Sequence, residues 1–129
     1  MRIEFKILSE NEYKSWDRFV TISSGGRIFH TTDWLNTTGL EFLIYAGLKT
    51  GVKTDRLLGG LVVTFRRTGP IKYVTQPWFT PYLGPVIDIK KLNYSQKISI
   101  EKQLLREFAR FLKNNFHFGN MNFSPTVID

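Results

Sequence analysis

Between Tyr73 and Asp88 the chain reads Tyr-Val-Thr-Gln-Pro-Trp-Phe-Thr-Pro-Tyr-Leu-Gly-Pro-Val-Ile-Asp, which sets Pro77, Pro81 and Pro85 among Trp78, Phe79 and Tyr82. Proline donates no ladder hydrogen bond and restricts the residue before it, so Gln76, Thr80 and Gly84 are pushed toward extended backbone. The stretch predicts a stiff aromatic loop rather than a plain strand. Such a loop loses little further entropy on ordering. Trp78 and Tyr82 offer flat apolar surfaces beside the polar groups of Gln76 and Thr80, a combination suited to gripping a ligand. The competing reading is that these rings roof the core.

Other residues able to do chemistry are few. His30 falls at a predicted helix start, where the positive end of the helix disfavours imidazolium and leaves a neutral hydrogen-bonding group for a ligand. The alternative is a histidine that caps or packs. His117 lies on a predicted strand between Phe116 and Phe118. The spacing of the two histidines is not that of metal ligands, so no metal site is expected. Asp33 and Asp88 can orient an amine nucleophile, or serve as a helix-start carboxylate and a turn aspartate. Gly59-Gly60 inside a predicted strand signals either close backbone approach by a ligand or a bulge.

With 129 residues the chain suffices for one domain with an ordinary core. It has no cysteine, which excludes a disulfide framework, thiol catalysis and cysteine-based metal sites. No apolar run reaches the roughly 20 residues a membrane helix needs. The alternation of Arg2-Ile3-Glu4-Phe5-Lys6 is not that of a signal peptide, and a cytoplasmic protein without a membrane span is the reading. A net charge of +7 and a pI near 9.8 favour anionic partners: phosphates, nucleotides, RNA or a lipid surface. Arg66-Arg67 and Lys90-Lys91 are the only adjacent basic pairs, so no dedicated nucleic-acid arm is visible and a specific nucleic-acid partner is not expected.

Hydrophobic periodicity supplies the elements that must position these residues. Arg2 to Leu8 alternates as a strand. Ser9 is an N-cap candidate, with Glu12 closing a capping box and Leu8 set to staple against Tyr13. Tyr13, Trp16, Phe19 and Val20 form the apolar face of the helix that follows. A second short helix starts at Thr31 or Thr32 and stops at Gly39, which suits a left-handed position. Phe42 to Leu48 and Leu57 to Phe65 predict a hairpin around a polar turn, and Ile71 to Thr75 a third strand. Val86 to Ile89 reads as a short extended piece. The long helix Gln96 to Lys113, capped by Asn93 with Gln96 or by Ser95, carries Ile98, Leu104, Leu105, Phe108, Phe111 and Leu112 on its apolar face. Phe116 to Phe123 is the last predicted strand.

This order of strand, helix, helix, hairpin, third strand, long helix and strand resembles the opening portion of the GNAT acyltransferase fold. Within that superfamily four patches look like the first lobe of the FemAB-type group, two-lobed acyl- or aminoacyltransferases that extend peptidoglycan side chains. They are Trp16-Asp17-Arg18-Phe19-Val20, Gly26-Arg27-Ile28-Phe29-His30-Thr31-Thr32-Asp33-Trp34-Leu35, Gly84-Pro85-Val86-Ile87-Asp88 and Met121-Asn122-Phe123-Ser124-Pro125. The chain departs from the pattern in three places. His30 replaces a frequent glutamine, Leu83 a frequent arginine, and the junction Asp88 to Ser95 has no glycine where such enzymes grip the cofactor pyrophosphate with backbone amides.

The resemblance implies an α+β fold. Its mixed, mostly antiparallel sheet would carry two N-terminal helices and one long packed helix, and end after a fifth strand. It also implies one acceptor-side lobe over residues 1–129, with the second, donor-binding lobe of such proteins absent. A substrate amine would attack a donor carbonyl while the protein supplies position and oxyanion stabilisation. His30, Arg66, Gln76, Trp78, Thr80 and Tyr82 would hold the acceptor, an anionic cell-wall or sugar-nucleotide precursor. No cofactor is expected in this chain; acyl-coenzyme A or aminoacyl-tRNA would enter as donor only with a second lobe, and the isolated chain would be inactive. Two other classes stay open: a non-catalytic binding or dimerisation module of the same fold, pairing with another copy through the face a second lobe would cover, and an RNA-binding domain in which exposed aromatics stack on bases.

Overall fold

The computed structural model describes residues 3–23, 28–50, 56–74, 84–89 and 93–116. Strand β1 (Ile3–Ile7) leads through a 3-10 turn, Glu10–Glu12, into helix α1 (Tyr13–Ile22). A second 3-10 turn, Ile28–His30, precedes helix α2 (Thr32–Thr37). Strands β2 (Glu41–Lys49), β3 (Arg56–Thr68), β4 (Ile71–Val74) and β5 (Gly84–Ile87) follow, and helix α3 (Tyr94–Asn115) closes the described chain. The class is α+β.

Local chemistry explains most boundaries. The Ser9–Glu12 capping box forms, with the Glu12 carboxylate accepting from both the Ser9 backbone N–H and its hydroxyl at 3.0 Å. Thr31 caps α2 through its hydroxyl, and Gly39 beyond the helix adopts φ +74°, a left-handed backbone that glycine takes without a Cβ penalty. Asn93 and Gln96 exchange the two bonds of a capping box at the start of α3. That helix is longer at both ends than the apolar pattern alone suggests. Its buried stripe is Ile100, Leu104, Phe108 and Leu112, spaced at i+4, and Ile98 is exposed rather than part of the apolar face.

The sheet has the order β1-β2-β3-β4, with β5 also bonded to β3. Every pairing is antiparallel, so among the described residues the sheet is not mixed. β4 and β5 share one edge of β3. Val74 sits opposite Phe65 and Gly84 opposite Val62, so the piece expected only as an extended segment is a true strand. The expected last strand, Phe116–Phe123, lies outside the described residues apart from Phe116, which caps α3. The 75–83 stretch, with the proline-aromatic loop, lies outside them as well.

Both sheet faces are covered. On one, Trp16, Phe19 and Val20 of α1 and Leu35 of α2 pack on Ile44, Ala46, Leu48, Val62 and Val86. On the other, the α3 stripe packs on Leu58, Leu61, Val63, Phe65 and Val74. β3 is therefore buried continuously from Leu58 to Phe65, as expected for a strand covered on two sides. Gly59-Gly60 resolves accordingly. The ladder slips by one residue there, Gly47 facing Gly59 and Leu48 facing Leu57, which is a bulge. The absent side chains make room for the helices of the chain itself. A Cβ on Gly60 would run into the Trp16 ring, and one on Gly47 would meet Leu104 Cδ2 at 2.6 Å.

An aromatic layer lies between α3 and the β1–β2 edge, with Tyr45 stacked on Phe111 at 3.9 Å and Phe5 edge-on to Phe108 at 6.1 Å. The Tyr45 hydroxyl donates to Glu107 Oε2 at 2.7 Å. Burial first, then that bond and the Glu107 charge, push the phenol from 10.0 up to about 12. Because the folded value exceeds the unfolded one, this group's contribution to stability is complete below pH 10.0 and is lost as pH rises toward about 12. Tyr45→Phe should flatten the alkaline limb of stability in that window, measured by urea unfolding at successive pH values; an unchanged limb would assign the alkaline loss to other groups.

Candidate functional site

A cleft of about 470 Å³ opens where α1 leans over the ends of β2 and β3. Ser15, Arg18, Phe19 and Ile22 come from one side of α1, at the three- and four-residue spacings that share a helix face. Lys6 comes from β1 and Leu8 from just past it, Leu48 from β2, and Arg56 and Leu57 from the start of β3. Asp88, just past β5, and Glu12 complete the wall. The floor is apolar, and Ile22 remains 63% exposed there, so α1 carries apolar surface that the core does not use.

The charges are unevenly satisfied. Lys6 Nζ lies 2.5 Å from Glu12 Oε2. This ammonium, followed by the Ser9 backbone N–H, holds the Glu12 carboxyl below its ordinary range. Asp88 donates its backbone N–H to the Leu58 carbonyl, which fixes the wall at the bulge. Arg18 and Arg56 make no ion pair among the described residues. Two guanidiniums over an apolar floor suit a ligand that carries an anionic group at one end and apolar surface at the other.

The residues singled out in the sequence occupy other places. His30 is fully buried beneath α1, and its carbonyl accepts the Trp16 indole N–H at 2.9 Å. The neighbouring Asp17 carboxylate accepts from the Thr32 backbone N–H at 2.8 Å and from its hydroxyl at 2.5 Å. Two adjacent residues of α1 thus clamp the segment that enters α2, so the first two resemblance patches pack on each other. Asp33 is exposed on the first turn of α2.

Arg66 is exposed near the far end of β3, opposite Tyr73. The strand between Arg56 and Arg66 spans roughly 30 Å at the usual rise per residue. The structure therefore does not bring Arg66 to the cleft. Around that far end a shallower hollow includes Tyr13, Phe42, Phe65, Arg67 and Lys72. Its charge is largely engaged, because Arg67 Nε bonds the Glu41 carboxylate at 2.8 Å and Lys72 lies over the Phe65 and Phe116 rings. Gln76, Trp78, Thr80, Tyr82 and His117 lie outside the described residues.

Lys6, Arg18 and Arg56 escaped the sequence reading because only strand order brings them together; in the chain they are scattered cations. Ile22 was the available signal, an apolar residue flanking the buried face of α1. Comparison with known protein families, with curated proteins and with solved structures found no match to this chain. Among the described residues no helix is long and apolar enough to cross a membrane, and no group of histidine, aspartate and glutamate side chains could hold a metal ion.

Proposed function

We propose that this chain is the acceptor-side lobe of an acyl- or aminoacyltransferase of GNAT type, similar to the first lobe of FemAB-like enzymes, and that its acceptor enters the α1 cleft by an anionic group. The observation that carries the binding part is the pair of guanidiniums, Arg18 and Arg56, which make no ion pair among the described residues and stand above the apolar floor of Leu8, Phe19, Leu48 and Leu57. A sugar-nucleotide or cell-wall precursor has that combination of phosphate and less polar surface. The transferase part rests on the order of elements and on the four sequence patches. The antiparallel sheet between α1–α2 and α3 is compatible with it.

In this reading the donor belongs to another lobe. Two of the N-terminal N–H groups of α3 are already served by the chain, since the Asn93 side chain accepts from the Gln96 N–H at 2.9 Å and Gln96 Oε1 from the Asn93 N–H at 3.3 Å. A donor pyrophosphate would then be gripped elsewhere, and the 129-residue chain binds acceptor without transferring an acyl group. The loop at 75–83, outside the described residues, is kept in this reading as a further part of the acceptor site.

Titration calorimetry with a uridine diphosphate sugar tests the cleft. Arg18→Ala and Arg56→Ala should each weaken binding about 10- to 100-fold, the range for losing a hydrogen bond to a charged group. Each should leave the melting temperature within a few degrees, because both side chains are at the surface. Unchanged affinity in both variants would remove the ligand from this cleft, and affinity lost only on changing Gln76 or Trp78 would move it to the loop.

A further inference from the structure

Independently of the cleft, β1 is an edge: it bonds β2 on one side, and no described residue bonds the other. Which backbone groups face outward follows from one hydrogen bond. The Leu8 N–H donates to the Ile44 carbonyl at 2.9 Å, and the β1–β2 register continued by one residue sets Leu8 opposite Ile44. In an antiparallel ladder bonded and non-bonded pairs alternate, so Leu8, Lys6 and Glu4 bond β2. The N–H and C=O groups of Ile3, Phe5 and Ile7 therefore point to the open side.

The sequence of this edge, Ile-Glu-Phe-Lys-Ile, is self-complementary about Phe5. We infer that two copies of the chain join β1 to β1 in antiparallel fashion around a two-fold axis at Phe5, making one continuous sheet. In that register Phe5 faces the Phe5 of the second copy, and Ile3 faces Ile7. All three are residues whose backbone groups are free to bond, so each opposed pair exchanges two hydrogen bonds. Glu4 then faces Lys6 twice, in the non-bonded pairs where side chains lie closest.

Exposure agrees with this occupant. Glu4 and Lys6 are exposed, and Ile7, 52% exposed, gains an isoleucine beside it. Phe5 already touches Tyr45 and Phe108 across the sheet and α3, so its ring meets the second copy from a fixed position. Lys6 has three donors, enough for Glu12 within its own chain and Glu4 of the other. Centring the pair on Glu4 or Lys6 instead opposes like charges, and it opposes backbone groups already used by β2. A charged edge usually blunts self-pairing; here the order of the charges favours it.

Charge exchange tests both the surface and the register. Sedimentation equilibrium of the 129-residue chain should show a dimer. Glu4→Lys sets two ammonium groups against each other at both pairs, and Lys6→Glu does the same with two carboxylates; each should weaken dimerisation about tenfold or more. Mixing the two variants should restore a dimer of wild-type strength, since each charge then faces its opposite. Amide exchange at Ile3, Phe5 and Ile7 should slow as concentration rises. A wild-type monomer at every concentration would overturn the inference. So would a dimer unchanged by Glu4→Lys, a mixture that fails to recover, or exchange at those amides that is independent of concentration. Glu4→Lys alters an exposed side chain, and its unfolding midpoint near wild type would confirm that it folds.

Discussion

Trp16→Ala is expected to destabilise the fold by about 3–5 kcal/mol, the range for emptying a buried aromatic site. Trp16 is fully buried, stacks with Phe19 at 5.6 Å and occupies the space over Gly60. It is also the donor to the His30 carbonyl, so its loss removes a buried hydrogen bond as well as leaving a cavity. Trp16→Phe separates the two effects: it keeps most of the packing and removes the N–H, and should cost about 1–3 kcal/mol. Urea unfolding of both variants checks the pair. A loss below about 1 kcal/mol for Trp16→Ala would mean that α1 is not anchored by this ring.

The second large effect is overpacking from the opposite side. Gly60→Val places new atoms inside the Trp16 ring position, with β3 backbone on one side and α1 on the other, so neither partner can yield cheaply. We expect a loss of about 3 kcal/mol or more, and about 1–3 kcal/mol for Gly60→Ala. Gly47→Ala should be milder, because its nearest obstacle is a terminal methyl of Leu104 at 2.6 Å and the Phe5 ring edge stands farther off at 3.1 Å, whereas Gly60 faces the body of the indole. The signature of direct contact is non-additivity: Trp16→Ala with Gly60→Ala should cost clearly less than the sum of the single losses. Strict additivity would show that the two positions act separately.

Much of this arrangement was readable in the sequence because its causes are local. Ser9 with Glu12, Asn93 with Gln96, and Gly39 after α2 are short-range signals, and each formed where expected. Alternation located β1, and short apolar runs beside turn residues located β2 to β4, for the same reason. What could not be read was set by tertiary order. Val86 and its neighbours have too short a pattern to announce a strand, and become one only because the edge of β3 is open beside them. Ile98 and Ile100 are indistinguishable by type, and the position of α3 over the sheet decides which is buried. The site suffered most. His30 looked available from its place at a helix start, yet Trp16, fourteen positions earlier, covers it. Arg18 and Arg56 drew no notice, since nothing in the chain says that the start of β3 lies beside α1.

The division of the β3 edge between β4 and β5 has a consequence for how this protein can change over time. Val74 and Gly84 each return to β3, at Phe65 and Val62, so the ladder is complete on either side of whatever residues join them. The described pairings of this edge are made by residues 71–74 and 84–87. Two separate stretches of chain thus hold the same edge of β3, four residues each. In a lineage carrying this fold, Gly60, Trp16 and the α3 stripe are therefore held by packing, and 71–74 and 84–87 by their shared claim on one strand.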